Sequence, residues 1–392
     1  MRAVCYRGVN HLEVENVPDP KILNPHDAIV RVRLTTTCGS DLHLLDGYIP
    51  TMQKGDIIGH EFMGEIVETG PEVRKVKRGD RVVVTPVIGC GQCWFCENQL
   101  WSLCDNTNPN AGIPERLWGQ SVAGIFGYSH MLGGYAGSHA EYVRVPFADN
   151  GCFKIPEGVT DEQALFVSDA FPTGYMAADL CDLKGGEVVA IWGCGGVGQM
   201  AIRSAYLLGA SRVIAIDRFP DRLRMAQHRG TAEVLNYEEV DILEALKEMT
   251  GGRGPDACID CVGMEAHESG PEYWYDKAKQ TVRLETDRPI VLRQVIHACR
   301  KGGTVSIVGV YGGFVDKFPI GAAMNKALTF RMGQQHGQRY AERLLNIIRE
   351  GKIDPSYLAT HRMPLEDAPL AYQMFKTKQD GMMRAVFTTN GR

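Results

Sequence analysis

The sequence predicts a mixed α/β chain in which a β-rich domain, built from both chain ends, surrounds an inserted doubly wound α/β domain. Three observations carry this. Up to about residue 150, short apolar alternations are broken by Gly and Pro. From about Pro156, buried-strand runs alternate with helix-periodic runs, and after about Phe318 the pattern is mixed again. Strands alternating with helices imply parallel βαβ units covered on both faces.

In the N-terminal part, "DAIVRVRL" (27–34), "GEIVETG" (64–70) and "GDRVVVTP" (79–86) read as half-buried strands bounded by turns. The inserted part opens with the apolar strand "GEVVAIW", the helix "VGQMAIRSAYLLGA" and the strand "RVIAID". Helices follow at "PDRLRMAQHRG" and "ILEALKEMTG", then strand "DACIDCVG", helix "VLRQVIHACRKGG" and strand "TVSIVGVYG". The tail holds one clear helix, "RYAERLLNIIREG", ending at a glycine. The expected limits are 1–157 with 319–392 for the β-rich domain and 158–318 for the insert, with a cysteine lobe at 88–106.

At 392 residues the chain is long enough for two to three domains. A net charge of −5 gives no field that points to nucleic acid or an anionic membrane. The first residues lack the apolar run of a secretory signal, and no apolar stretch approaches membrane-spanning length. The expectation is a soluble cytoplasmic protein, where clustered cysteines are more often metal ligands or catalytic groups than disulfides.

"VVAIWGCGGVGQMAI" places Gly193-x-Gly195-x-x-Gly198 directly after a buried strand and at the start of a helix. That context makes the glycine pattern informative: the backbone can turn tightly and approach a pyrophosphate, whose charge the helix N-terminus favours. Gly193, Gly195, Gly196, Val197 and Gly198 are the expected cradle of a dinucleotide. Asp217 ends the next strand, and a carboxylate there accepts ribose hydroxyls and repels a 2′-phosphate, which favours NAD; Arg218 beside it works the other way. Arg222 is a candidate adenine-side contact, and Gln334 and Arg384 are weaker cofactor candidates. The alternative for the loop is a turn that binds nothing. Cys194 reads as a small filler, and Cys258 and Cys261 as buried residues on opposite faces of a strand.

Three separated pieces carry possible metal donors: "TTCGSDLH" with Cys38, Ser40, Asp41 and His43; "GHEFMGEIVETGPEV" with His60 and Glu61; and "SDAFPTGY" with Asp169. Thiolate, imidazole and carboxylate are all competent zinc ligands, and three protein ligands leave a fourth position for water or substrate. Taken singly, Asp169 also reads as a helix N-cap and His60 as a core histidine.

Gly59-His60-Glu61-x-x-Gly64-x5-Gly70-x-x-Val73 resembles the signature of zinc-containing alcohol dehydrogenases. With the cysteine lobe, the glycine loop and the domain order, the chain resembles the medium-chain dehydrogenase/reductase superfamily over essentially its whole length. Within it, "SDAFPTGY" and the long segment 264–289 resemble the glutathione-independent formaldehyde dehydrogenase and formaldehyde dismutase branch. The resemblance implies a GroES-like catalytic domain and a Rossmann domain, two zinc ions per subunit, NAD, and a homo-oligomer, tetramer or dimer. It implies zinc at Cys38, His60 and Asp169, with Glu61 a nearby carboxylate able to ligate transiently. In that branch the long segment covers the bound cofactor.

Cys90-x2-Cys93-x2-Cys96-x7-Cys104 supplies four thiolates, enough to close a tetrahedral zinc shell. A closed shell cannot take substrate, so this cluster is expected to be structural, with disulfides the alternative. Cys5, Cys152, Cys181 and Cys299 carry no pattern.

The expected reaction is hydride transfer between a small alcohol or aldehyde and NAD, with formaldehyde, as its hydrate, the best single substrate. Ser40 would bond the reacting oxygen and, as the family resemblance implies, His43 would receive the proton, a role suited to a group of pKa about 6.5; a turn hydroxyl and a surface histidine are the plainer readings. Alternatives are a primary-alcohol or polyol dehydrogenase with freely exchanging NAD, and a non-catalytic dinucleotide-binding oligomer. The stretch 112–142 is expected to line or cover the entrance, with His130 and His139 structural or exposed.

Overall fold

The computed structural model describes residues 1–265 and 289–389. The chain divides into two compact units, Met1–Pro172 with Gln335–Arg392, and Thr173–Gln334. Both limits fall later than the sequence suggested, for reasons visible in the packing. The short helix Asp161–Leu165 packs on strands of the first unit, and Thr329–Met332 adds a strand to the sheet of the second.

The first unit begins with strands β1 (Arg2–Gly8), β2 (His11–Asn16), β3 (Ala28–Thr36), β4 (Glu61–Thr69), β5 (Arg81–Val84), β6 (Tyr142–Val145) and β7 (Cys152–Lys154). The second unit contributes β8 (Val188–Trp192), β9 (Arg212–Asp217), β10 (Glu233–Asn236), β11 (Ala257–Asp260), β12 (Thr304–Ile307) and β13 (Thr329–Met332). The chain returns to the first unit with β14 (Ala359–Pro364) and β15 (Arg384–Thr388).

β1 and β2 form a hairpin ribbon, and a seven-stranded sheet runs β14-β15-β3-β4-β5-β7 with β6 on the side of β3. Its inner face is a cluster that includes Val30, Val32, Phe62, Ile66, Val82 and Val84, the alternate residues of three neighbouring strands. This is the mostly antiparallel β unit expected from both chain ends.

The second unit is a six-stranded parallel sheet in the order β10-β9-β8-β11-β12-β13. The order reverses beside β8, the arrangement that dinucleotide-binding sheets share. Successive residues of each strand serve opposite faces. Val189, Ile191, Val213 and Ala215 pack under the helix Gly196–Leu207, while Ala190, Trp192, Ile214 and Ile216 pack against Ile290–Ala298. Cys258 belongs to the second cluster and Cys261 lies against the first, so the two thiols do not form a redox pair.

The long connection 264–289 lies, apart from its ends, outside the described residues. Among the described residues no helix is long and apolar enough to cross a membrane.

Candidate functional site: two donor clusters and a glycine loop

Strand pairing brings the three-donor site together. Thr36 at the end of β3 pairs with Glu61 at the start of β4, and Val386 of β15 pairs with Thr36 on the other side. Cys38, two residues beyond β3 and capping the helix Gly39–Leu45, therefore lies beside His60. Asp169 occupies the turn just before the helix Ala170–Asp179.

One donor atom each from Cys38, His60, Glu61 and Asp169 falls within 4.8 Å of the others. Cys38 Sγ is 3.8 Å and His60 Nε2 3.4 Å from Asp169 Oδ2. Donors about 2.0–2.3 Å from a shared zinc at tetrahedral angles stand about 3.3–3.8 Å apart, so these separations suit that ion. The thiolate and the Asp169 carboxylate would balance a divalent charge.

Each donor is held from behind. His60 Nδ1 lies 3.1 Å from Asp41 Oδ1, which leaves Nε2 toward the site. Asp41 Oδ2 accepts from the Cys38 N–H at 2.9 Å and from Tyr372 Oη at 2.6 Å. Burial alone would raise the Asp41 carboxyl, yet the His60 imidazole and these bonds hold it down to about 2. Tyr372 Oη is also 2.8 Å from His139 Nε2, and His139 Nδ1 is 2.8 Å from Thr35 Oγ1. Burial lowers the His139 imidazole to about 4.

Glu61 is fully buried, and Arg384 at the start of β15 lies 3.0 Å from its Oε1. Burial pushes the Glu61 carboxyl up to about 7 against the pull of the guanidinium. Arg384 also donates to the Thr37 carbonyl. It is buried in the β unit at 2% exposure, where it pairs with Glu61.

Ser40 Oγ stands 3.3 Å from both Cys38 Sγ and His60 Nε2, inside the donor cluster. His43, one turn further along the same helix, is buried and not a surface histidine. Gln334 is exposed; its neighbour Gln335 is buried and donates through Nε2 to Asp169 Oδ1 at 3.0 Å.

The signature glycine before His60 has a local cause. Gly59 has φ +92°, and a β-carbon there would lie 2.3 Å from His139 Nδ1. Gly127 and Gly137 press as closely, their absent β-carbons 2.2 Å from the carbonyl oxygens of Gly59 and Ile58. Gly127, Gly137 and His139 of the stretch 112–142 thus pack as core behind the site, while much of 112–120 is exposed. Tyr128 comes up beside it, its ring edge-on to His60 at 6.3 Å between centroids. His130 is half-buried against Asp56 at 3.1 Å.

The four-cysteine lobe is local in sequence. Cys93 caps the short helix Trp94–Glu97 that carries Cys96, and the turn Trp101–Leu103 delivers Cys104. Cys90 and Cys96 sulfurs are 4.0 Å apart and those of Cys93 and Cys104 3.8 Å, against about 3.8 Å for the edge of a zinc–thiolate tetrahedron. Cys104 Sγ accepts the Cys90 N–H at 3.3 Å, and Cys90 Sγ accepts from Asn106 Nδ2 at 3.3 Å, as anionic sulfur requires. All four cysteines are free thiols, not disulfides.

In the second unit, β8 runs into Gly193, whose φ of +89° favours glycine. A β-carbon on Gly198 would sit 1.7 Å from the Gly193 carbonyl oxygen, so this glycine lets helix and strand close together. At Gly195 a β-carbon would meet only Arg222 Nη1, at 3.9 Å, which leaves the backbone open to a phosphate. Gly196 and Val197 begin the helix. Asp217 Oδ2 accepts the Cys194 N–H at 2.8 Å, and Oδ1 accepts those of Arg218 and Phe219 at 2.7 and 3.1 Å. Arg222 Nη1 is 3.9 Å from Asp217 Oδ2. Arg218 and Arg222 both stack on Phe219, at 4.7 and 5.0 Å, and Arg218 is paired with Glu238.

A β unit bearing a four-thiol set and a mixed set of thiol, imidazole and carboxylate, in one chain with a dinucleotide-type sheet, defines a zinc-binding dehydrogenase. Family models agree: the alcohol dehydrogenase GroES-like domain matches residues 24–157 and the zinc-binding dehydrogenase domain matches 196–279. The chain belongs to the zinc-containing alcohol dehydrogenases of the medium-chain dehydrogenase/reductase superfamily, and is a zinc-dependent alcohol dehydrogenase-like oxidoreductase. It is 41% identical to an uncharacterized zinc-type alcohol dehydrogenase-like protein, AdhB, of Bacillus subtilis, over 98% of this chain and 99% of that one. It is 33% identical to a glutathione-independent formaldehyde dehydrogenase of the same organism, over 95% and 94%. The solved structure of alcohol dehydrogenase TADH from Thermus sp. ATN1 matches with a TM-score of 0.83 and 32% identity, covering all of both chains.

Proposed function

We propose that the chain is an NAD(H)-dependent zinc dehydrogenase of small alcohols and aldehydes, with formaldehyde, as its hydrate, the leading substrate. The observation that carries this is the convergence of unlike donors, Cys38, His60 and Asp169, in one buried place with a hydroxyl, Ser40, among them. These three residues would hold a zinc ion, a Lewis acid that polarises a substrate oxygen, and a nicotinamide would take the hydride. Cys90, Cys93, Cys96 and Cys104 would hold a second ion without a reactive position.

The protein's own part is to orient and to move a proton. Ser40 Oγ is placed to bond the substrate hydroxyl, and His43 lies on the same face of the helix three residues on, where it can take the proton onward. Arg384 lies 3.0 Å from Glu61 Oε1 beside the donors, where its guanidinium favours the ionised form of a carboxyl that burial raises. Gly193, Gly195, Gly196, Val197 and Gly198 would cradle the pyrophosphate, and Asp217, already held by three backbone N–H groups, would disfavour a 2′-phosphate. Arg222 would flank the adenine side. The reading includes a cytoplasmic homo-oligomer, dimer or tetramer.

The formaldehyde assignment is supported by the sequence "SDAFPTGY" and by the formaldehyde dehydrogenases among the relatives. The test is steady-state turnover of formaldehyde, short primary alcohols and polyols with NAD and NADP, together with the NAD content of purified protein. Turnover of formaldehyde with NAD, and NAD retained through purification, is expected. Freely exchanging NAD with preference for longer alcohols or polyols would move the substrate class. Absence of turnover on every member of the panel would overturn the reading.

A further inference from the structure

The four residues 335–338 bond to Asp169 of one donor cluster and to Ser102 and Val87, which lie beside the cysteines of the other. Gln335 Nε2 donates to Asp169 Oδ1 at 3.0 Å and to the Ser168 carbonyl at 3.4 Å. Both partners are acceptors, which fixes the amide, since the flipped form would set oxygen against oxygen. With Oδ1 engaged, Oδ2 is the oxygen turned to Cys38 Sγ and His60 Nε2. Gly337 backs this amide: a β-carbon there would lie 2.4 Å from Gln335 Oε1 and 2.9 Å from Thr85 Cγ2.

The next residues reach the other way. His336 Nδ1 accepts the Ser102 N–H at 3.3 Å and lies 3.1 Å from Ser102 Oγ. Ser102 belongs to the turn Trp101–Leu103 that delivers Cys104. Gln338 Nε2 donates to the Val87 carbonyl at 2.6 Å, and Val87 packs in one cluster with Cys90, Cys96 and Cys104. The segment then enters the helix Gly337–Arg349, whose buried Leu344, Leu345 and Ile348 anchor it.

We propose that Gln335 is a positioning residue for Asp169, and that the four-cysteine lobe holds Gln335 in place, so that metal in the lobe sets how tightly the three-donor site retains its own ion. The inference rests on the zinc assignment proposed above. Partners that orient a ligand usually alter metal affinity about 10- to 100-fold when removed. Gln335 fits that role because its bond falls on the one carboxylate oxygen that the site does not use.

The experiment measures zinc per subunit in the holoenzyme and its extraction by a graded chelator. Gln335→Met keeps length and packing but removes the donor. It is expected to keep the lobe ion and to release the other at about 10- to 100-fold lower chelator. Saturating zinc should restore its turnover, and the unfolding midpoint of its metal-free form should match wild type, a pattern that mere loss of packing does not give. Ser102→Ala and His336→Phe, on the lobe side and without contact to Cys38, His60 or Asp169, should release the same ion at about threefold to tenfold lower chelator. They carry the test alone if Gln335→Met fails to fold by circular dichroism. Wild-type retention in Gln335→Met overturns the positioning role, and wild-type retention in both lobe-side variants overturns the coupling. If Asp169→Ala keeps both ions, the zinc assignment falls and the coupling with it; if it loses one while the other variants are unaltered, the zinc assignment stands and both the positioning role and the coupling fall.

Discussion

The two donor clusters lie in the same unit and suit the same ion, but they are built in opposite ways. The lobe draws four identical thiols from residues 90–104, and several of their supporting bonds come from that same loop or from Asn106 just beyond it. The three-donor site draws unlike groups from positions 38, 60 and 169, and its supports come from farther still: Tyr372 behind Asp41, Gln335 behind Asp169, Arg384 beside Glu61. A closed, symmetric shell needs only proximity, which a short loop supplies. A site with room for a reactant must hold each ligand individually, and that takes contacts from across the fold.

The contrast can be broken most sharply by removing one ligand from each cluster. Asp169→Ala should lose one zinc per subunit and reduce turnover by at least about a thousandfold, the several kcal/mol that a Lewis-acid metal supplies. Its fold and lobe ion should remain. Two retained ions with turnover intact would show the ligand assignment to be wrong. Cys104→Ser, in contrast, should act chiefly on stability and on metal retention.

A somewhat smaller effect tests the supports. Arg384→Met leaves the fully buried Glu61 without its cation and the Thr37 carbonyl without its donor, which should cost up to about 3 kcal/mol in chemical denaturation, since the carboxyl already raised to about 7 can take up a proton. Combining it with Glu61→Gln should recover a large part of that loss. An additive double variant would mean the pair is not coupled.

The smallest effect is a pH dependence confined to the long-range network. His139, buried between Tyr372 and Thr35, has its imidazole lowered to about 4. A lowered histidine gives stability that is complete above the unfolded value, about 6.5, and is lost as pH falls toward the folded value. About 2 kcal/mol should disappear between pH 7.5 and pH 5 from this group. His139→Gln should flatten that part of the profile relative to wild type, and an unchanged slope would remove His139 as its source.

What could be read from the sequence follows the same division. The lobe's cysteines, the glycine loop and the donors Cys38, His60 and Asp169 all stand in short patterns, and strand alternation with helices gave the two architectures. The supports have no such pattern. Gln335 was passed over for Gln334, because nothing in "MGQQHG" says which amide turns inward. The pairing of Arg384 with Glu61 has no signal in the sequence, since it exists only through the β15–β3–β4 register. Tyr372 lies on a helix whose face toward Asp41 is set by tertiary packing alone. The domain limits were placed early because the first boundary falls inside the helix Ala170–Asp179, and because β13, read as part of the tail, joins the parallel sheet of the second unit.

The crowding around Gly59 has a consequence for how such a chain can diverge. Positions 59, 127, 137 and 139 occupy one another's space, so the signature glycine is guarded by residues about seventy to eighty places downstream. A lineage that enlarged any of the three glycines would have to remodel the imidazole or the facing backbone in the same step. These four sites should therefore drift as a block or not at all, and swapping a single one between cousins would test that inheritance.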